Sequence, residues 1–163
     1  MSRKKSKLPP GNWYPLYNRM VRSEPFKRLT LWDKAAFLEF LGQYNHKKPN
    51  SMSVAYSEVR HIFKNRKQWT LSKFRIRAYG VLRLVKAGGF GRNPTVMGVC
   101  GRWESLNRRP KKLAQVDRLL RHYERIRRIP LKNIRGTTSH SNITPSFRKQ
   151  AALHKIEQDI FKR

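Results

Sequence analysis

Between Thr70 and Arg102 the chain carries no aspartate or glutamate, and the first half of that stretch has a helical repeat of apolar residues. In TLSKFRIRAYGVLRLVKAGGF, Leu71, Phe74, Ala78, Val81, Leu82 and Val85 fall at the i, i+3, i+4, i+7 spacing of one buried face. At about 100° per residue, Ser72, Lys73, Ile76, Tyr79, Gly80, Arg83 and Lys86 take the opposite face, with Arg75 and Arg77 on its flanks. A helix apolar on one side and cationic on the other needs a core behind it and a polyanion in front. The pattern predicts a helix that runs from Thr70 until Gly88 and Gly89 stop it in the manner of a C-cap.

The flanking residues predict what surrounds that helix. Leu31 to Tyr44 reads as a helix with Thr30 as N-cap and Asp33 completing a capping box. It is apolar almost all round, as a central helix would be. Asn45 to Ser51 reads as a loop, Ser53 to Tyr56 as a short strand, and Glu58 to Phe63 as a helix capped by Ser57. Lys64 to Trp69 is a basic turn. Beyond the glycines, Phe90, the turn Gly91-Arg92-Asn93-Pro94 and the run Thr95 to Val99 predict a small hairpin with a basic tip. Pro110 to Ile129 is strongly amphipathic, with Leu113, Val116, Leu119, Leu120, Tyr123 and Ile126 inward. Leu131 to Ser146 has linker composition, and Phe147 to Lys162 forms a last short helix using Ala151, Ile156 and Ile160. At the other end, residues 1–11 read as a flexible cationic arm ending in Pro-Pro-Gly. Asn12 to Arg28 reads as an irregular packing segment anchored by Trp13, Tyr14, Leu16, Met20 and Phe26.

Helix, helix, basic turn, basic helix is the order of a helix-turn-helix, and a hairpin directly after a recognition helix is a wing. The predicted fold class is therefore mainly α with a small β-hairpin, a winged helix-turn-helix core with a basic helical C-terminal extension. The boundaries fall at 1–28 for the arm and packing segment, 29–104 for the winged helix domain and 105–163 for the extension. Three pieces also resemble a family of winged helix-turn-helix proteins from bacterial and phage genomes. They are the opening WYPLYNRMVRSEPFKRLTLWDKAAFLEFLGQYN, the loop QYNHKKPN, and TLSKFRIRAYGVLRLVKAGGFGR. The resemblance covers roughly residues 12–104. It departs from the family pattern at His46, where a glycine is usual, and at Val85-Lys86, where an acidic residue is usual. It implies DNA binding in the replication or transcriptional regulation of mobile elements.

Charge points the same way. With 38 Lys and Arg against 9 Asp and Glu, the net charge is +29 and the pI about 11.5. Self-repulsion on that scale implies an anionic partner. Double-stranded DNA is the first reading, and RNA, in a ribosome-like ribonucleoprotein, is the alternative; an acidic membrane surface and an acidic protein rank lower. The single cysteine, Cys100, permits no internal disulfide and no thiolate cluster, which fits a reducing, cytoplasmic, nucleoid-associated setting. The opening lacks the apolar run of a secretory signal, and Pro9, Pro10 and Gly11 would break a transit-peptide helix. No stretch approaches the roughly 18 apolar residues of a membrane span. His46, His61, His122, His140 and His154 are scattered and the carboxylates separated, so no metal, no cofactor and no catalytic function are expected. Gly88-Gly89-Phe90-Gly91 lacks the Gly-Lys-Ser/Thr ending of a phosphate loop.

The candidate readout residues are Gln68, Thr70, Ser72, Lys73, Ile76 and Arg77, because the N-terminal part of a helix in the major groove reaches base edges. An exposed Ile76 would touch a thymine methyl, while Arg75 and Arg83 would hold phosphates. Arg92 and Asn93 either enter the minor groove or clamp phosphate at the wing tip, or simply make the turn. Arg3, Lys4, Lys5 and Lys7 track the minor groove as an arm, or form a tail. Under the RNA alternative, Trp13, Tyr14, Trp69 and Trp103 stack on unpaired bases; otherwise they are core. The 113–126 helix either packs back on the domain or joins a second copy in a homodimer; its seam spans only about two turns, short of a coiled coil.

Overall fold

The computed structural model describes residues 18–45, 47–88, 94–128 and 145–161. Those residues are mostly helical with one small antiparallel sheet. Two short helices, α1 (Asn18–Val21) and α2 (Glu24–Lys27), occupy part of the segment expected to be irregular. Ser23 caps α2 by accepting from the Phe26 N–H. Helix α3 (Leu31–Gly42) starts where the sequence places it. The Thr30 N–H donates to Asp33 Oδ2 at 2.9 Å, and the Asp33 N–H donates to Thr30 Oγ1 at 3.3 Å. It is less enclosed than its apolar circumference predicts: Ala36, Phe37 and Phe40 are buried, but Leu31 is 78% and Leu38 57% exposed.

Strand β1 (Met52–Ser53) and helix α4 (Tyr56–Val59) follow, each shorter than expected; Glu58 rather than Ser57 does the capping, taking the Ala55 N–H at 2.6 Å. Helix α5 (Arg66–Ala78) then begins four residues before Thr70, because Asn65 is its N-cap and accepts from the Gln68 N–H at 2.9 Å.

The end of α5 corrects the sequence reading most. The helix stops at Tyr79, not at Gly88 and Gly89. Gly80 has φ 71°, its N–H donates to the Arg77 carbonyl at 3.0 Å, and the Val81 N–H reaches back to the Ile76 carbonyl at 3.1 Å. This is a Schellman close, which needs a left-handed residue at that position. A Cβ on Gly80 would also lie 2.7 Å from Arg102 Cβ and 2.9 Å from the Trp103 nitrogen. Beyond the turn, Leu82 to Lys86 is strand β2, paired with β3 (Val96–Val99) as Leu82↔Val99, Arg83↔Gly98 and Leu84↔Met97. Strand β1 joins the far side of β3, giving the order β1-β3-β2. Val81 and Leu82 are buried as expected, but through the turn and sheet, whereas Val85 is 47% exposed. Tyr79 and Gly80, expected on the open face, are buried. Gly89 to Asn93 lie outside the described residues.

The remaining helices are α6 (Arg102–Asn107), α7 (Pro110–Arg128) and α8 (Pro145–Phe161). The expected boundary between 104 and 105 therefore falls inside α6. Trp103 and Leu106 from α6, Leu113, Val116, Leu120 and Tyr123 from α7, and Ile156 and Ile160 from α8 are buried in one cluster with Phe37, Phe40, Trp69 and Phe74. Ala151 is exposed. The 113–126 seam is thus covered by its own chain, with α7 packed on α8. Residues 1–17, His46 and 129–144 lie outside the described set, and with them the N-terminal arm, Trp13 and Tyr14, and the expected linker. No described helix is long and apolar enough to cross a membrane.

Candidate nucleic-acid interface

Helix α5 is held from two sides, and its side chains sort accordingly. Toward α3, the Trp69 ring stacks on Phe40 at 5.4 Å between centroids and 11° between planes, and meets Phe63 at 5.0 Å. Ser72 and Ile76 lie on this inward side, 2% and 0% exposed. Both were expected to read bases, and Ile76 to meet a thymine methyl; neither has the surface to do so. The error follows from the register, since the apolar face drawn through Val81 and Val85 belongs partly to a strand.

Toward α7 and α8, Phe74 stacks on Tyr123 at 4.0 Å and meets Phe161 edge-on at 5.7 Å. The Arg77 guanidinium lies 4.4 Å over the Phe161 ring. Arg75, expected to hold phosphate, is committed within the protein. Its Nη2 and Nε donate to Glu124 Oε1 at 2.7 and 3.0 Å, and Nη1 lies 3.5 Å from Asp33 Oδ2. Burial works against the Arg75 charge, but the Glu124 hydrogen bond and the two carboxylates outweigh it, so its pKa lies above the ordinary arginine value.

What α5 leaves open is its amino-terminal half. Arg66, Lys67 and Thr70 are exposed and Gln68 is half-buried. The Thr70 hydroxyl donates to the Arg66 carbonyl at 2.8 Å, and the Arg66 guanidinium lies 5.7 Å from the Tyr56 ring centre. Lys73 ties this surface to the sheet: its Nζ donates to Thr95 Oγ1 at 3.0 Å, just before β3, and lies 5.3 Å over the Trp69 ring. Burial, with repulsion from Arg66 and Arg77, holds the Lys73 pKa below the ordinary lysine value. On β2, Arg83 and Lys86 are exposed. Arg92 and Asn93 lie outside the described residues.

Six of the nine carboxylates are engaged elsewhere. Asp33 and Glu124 serve Arg75, Asp117 pairs with Arg28 and accepts the Tyr79 hydroxyl proton at 2.8 Å, and Glu157 accepts from Tyr123 at 3.4 Å. Glu24 pairs with Lys27, and Glu58 caps α4. Burial raises the pKa of both Tyr79 and Tyr123, which keeps their hydroxyls as donors. Trp69 and Trp103 are 2% and 8% exposed and present no stacking face. Among the described residues no three His, Cys, Asp or Glu side chains gather as a metal site. Sequence reasoning left out Arg66 and Lys67, which it placed in a turn. The available signal was Asn65 followed three residues later by Gln68, the spacing of a helix start.

No protein family, curated protein or solved structure matches the chain.

Proposed function

We propose that the chain is a non-enzymatic duplex-DNA-binding protein of winged helix-turn-helix architecture. In this reading α4 and α5 are the helix-turn-helix, and β2 and β3 are the stem of the wing. The order α3, β1, α4, α5, β2, β3 with sheet order β1-β3-β2 fits it. The observation that carries it is the set of cations Arg66, Lys67, Lys73, Arg83 and Lys86, drawn from a stretch without aspartate or glutamate and in no ion pair among the described residues, with helix and hairpin linked by the Lys73–Thr95 hydrogen bond. Arg66 and Lys67 stand at the amino end of α5, where a helix in the major groove comes closest to base edges, with Thr70 and Gln68 behind them. The burial of Trp69 and Trp103 favours a duplex over unpaired RNA, which is read by stacking. The biological setting that fits is replication or transcriptional control in a bacterial or mobile element.

The test is duplex binding by fluorescence anisotropy across a salt series, with structured RNA as competitor. If these five cations meet phosphates, log K falls against log salt with a slope of about −4.5. Arg66→Ala flattens that slope by about 0.9. Failure to bind duplexes, or capture by RNA in preference to DNA, overturns the reading.

A further inference from the structure

Where β2, the α6–α7 corner and the end of α8 meet, the described residues enclose a cleft of about 610 Å³. Arg77, Arg83, Arg102, Arg109 and Lys112 line it, with no acidic side chain among the lining residues. Half-buried Leu84 and Phe161, backed by the buried Leu82 and Leu106, form its apolar side, and Cys100 lines the same space. The cations here differ from those scattered over the rest of the surface. Arg77 and Arg102 are half-buried, and Arg102 Nη2 donates to the Ile160 carbonyl at 2.5 Å. Burial lowers the pKa of both guanidinium groups, and the opposing effects of Glu157 and Tyr123 on Arg77, and of Cys100 on Arg102, do not offset it. Ion pairs among the described residues engage Lys27, Arg28, Arg75 and Arg128 and none of the five cleft cations. The fold thus pairs buried Arg75 with two carboxylates, while Arg77, on the same helix, makes no ion pair among the described residues and has only the weaker influence of Glu157.

We propose that this cleft binds a nucleotide, with its phosphates on the arginines and Lys112 and its base against the Leu and Phe161 wall. Guanidinium groups match phosphate oxygens in geometry as well as charge. The volume lies within the range of roughly 300–1,000 Å³ that holds small organic ligands. An apolar wall beside a cationic rim fits a molecule with a flat ring at one end and negative charge at the other. The same chemistry has two sources, a free nucleotide or a nucleotide unit of a bound nucleic acid. The cleft shares Arg83 with the surface proposed to meet the duplex, but its test with a free nucleotide needs no DNA, so the two readings can fail separately.

The test uses the full chain and its single cysteine as reporter. Adenosine diphosphate is titrated by calorimetry, and Cys100 alkylation by iodoacetamide is timed with and without it. Saturable one-to-one binding that slows alkylation is expected. Arg109→Gln with Lys112→Gln weakens that binding about tenfold or more. Arg118→Gln with Arg121→Gln, equal in charge but elsewhere on α7, leaves it within about twofold by the same reasoning. If the diphosphate gives no protection but a short oligonucleotide does, and the cleft pair abolishes that protection, the source is nucleic acid. If neither protects Cys100, or the control pair weakens binding as much as the cleft pair, the proposal is overturned. The protection arm uses the wild-type chain, so it decides the matter even if a variant fails to fold.

Discussion

Along α5, the amino-terminal cations face solvent and the carboxyl-terminal ones face protein. Arg66 and Lys67 are exposed and make no ion pair among the described residues, with Arg66 beside the Tyr56 ring, whereas Arg75 is clamped between Asp33 and Glu124 and Arg77 is laid on Phe161. The cause is the C-terminal extension. Helix α7 delivers Asp117, Tyr123 and Glu124, and α8 delivers Glu157 and Phe161, all to the far end of α5 and its surroundings. A basic helix whose whole outer face would otherwise be open is thereby shortened to a cationic tip. The lesson is that cation count along a helix does not measure its binding surface; the position of the few carboxylates does.

The strongest way to break the comparison is at its hinge, Phe74. It is 4% exposed, and its ring is the shared contact of Tyr123 and Phe161. Phe74→Ala removes that stack and leaves a cavity between helices, a loss of about 4 kcal/mol. Urea unfolding followed by circular dichroism reads it as a lowered midpoint. A loss under about 1 kcal/mol, the size of an ordinary surface change, would mean that α7 and α8 do not clamp this end of α5.

Much of this arrangement can be read from the sequence, and the parts that cannot have physical causes. Helix α3 shows itself because Thr30 and Asp33 cap it by local rules, and α7 because its apolar stripe repeats cleanly between two prolines. The end of α5 is hidden by coincidence. Ala78, Val81, Leu82 and Val85 fit a helical period although the chain leaves the helix at Gly80, so a short strand of Leu82 to Lys86 passes for another turn. Gly80 is the one local clue: the Schellman close needs its left-handed conformation, and the approach of Arg102 and Trp103 leaves no room there for a Cβ. The fates of Arg75 and Ile76 are less legible still. The Glu124 partner of Arg75 lies 49 residues away, and no periodicity announces a long-range ion pair. The placement of Ile76 shifts with the face assigned to the whole helix, which the mistaken extension had rotated.

A second substitution sharpens the contrast between neighbouring arginines. Arg75→Met leaves Asp33, fully buried, and Glu124 without their shared cation, and costs about 3 kcal/mol, at the low end for breaking a buried pair because Arg128 stays 3.9 Å from Glu124. Arg77→Met loses the contact with Phe161 and the weak influence of Glu157 but breaks no ion pair, so it changes stability by less than about 1 kcal/mol. The two variants, compared by urea midpoint, therefore differ by about 2 kcal/mol or more although the substitution is the same. Equal effects would mean that the carboxylates, not the arginines alone, are solvated.

The smallest effect lies between the two halves, at Lys73. Its folded pKa is held below the 10.5 of an ordinary lysine, first by burial and then by Arg66 and Arg77. Between the folded and unfolded values the unfolded chain still holds a proton that the folded one has released, so the Lys73 contribution to stability rises with pH across that window. A phosphate beside Lys73 acts in the opposite direction, because it favours the charged form. If duplex DNA lies on the amino-terminal half of α5, binding takes up a proton there. The affinity then declines as pH passes the lowered Lys73 value, before lysines at 10.5 lose their charge. The loss of one exposed-type contact is worth roughly twofold to fivefold in Kd. Anisotropy at fixed salt measures it, and Lys73→Arg, which keeps its charge throughout, abolishes the decline. A wild-type curve that stays flat until the ordinary lysine range places the duplex away from Lys73 and confines the contact to Arg66, Lys67 and the hairpin.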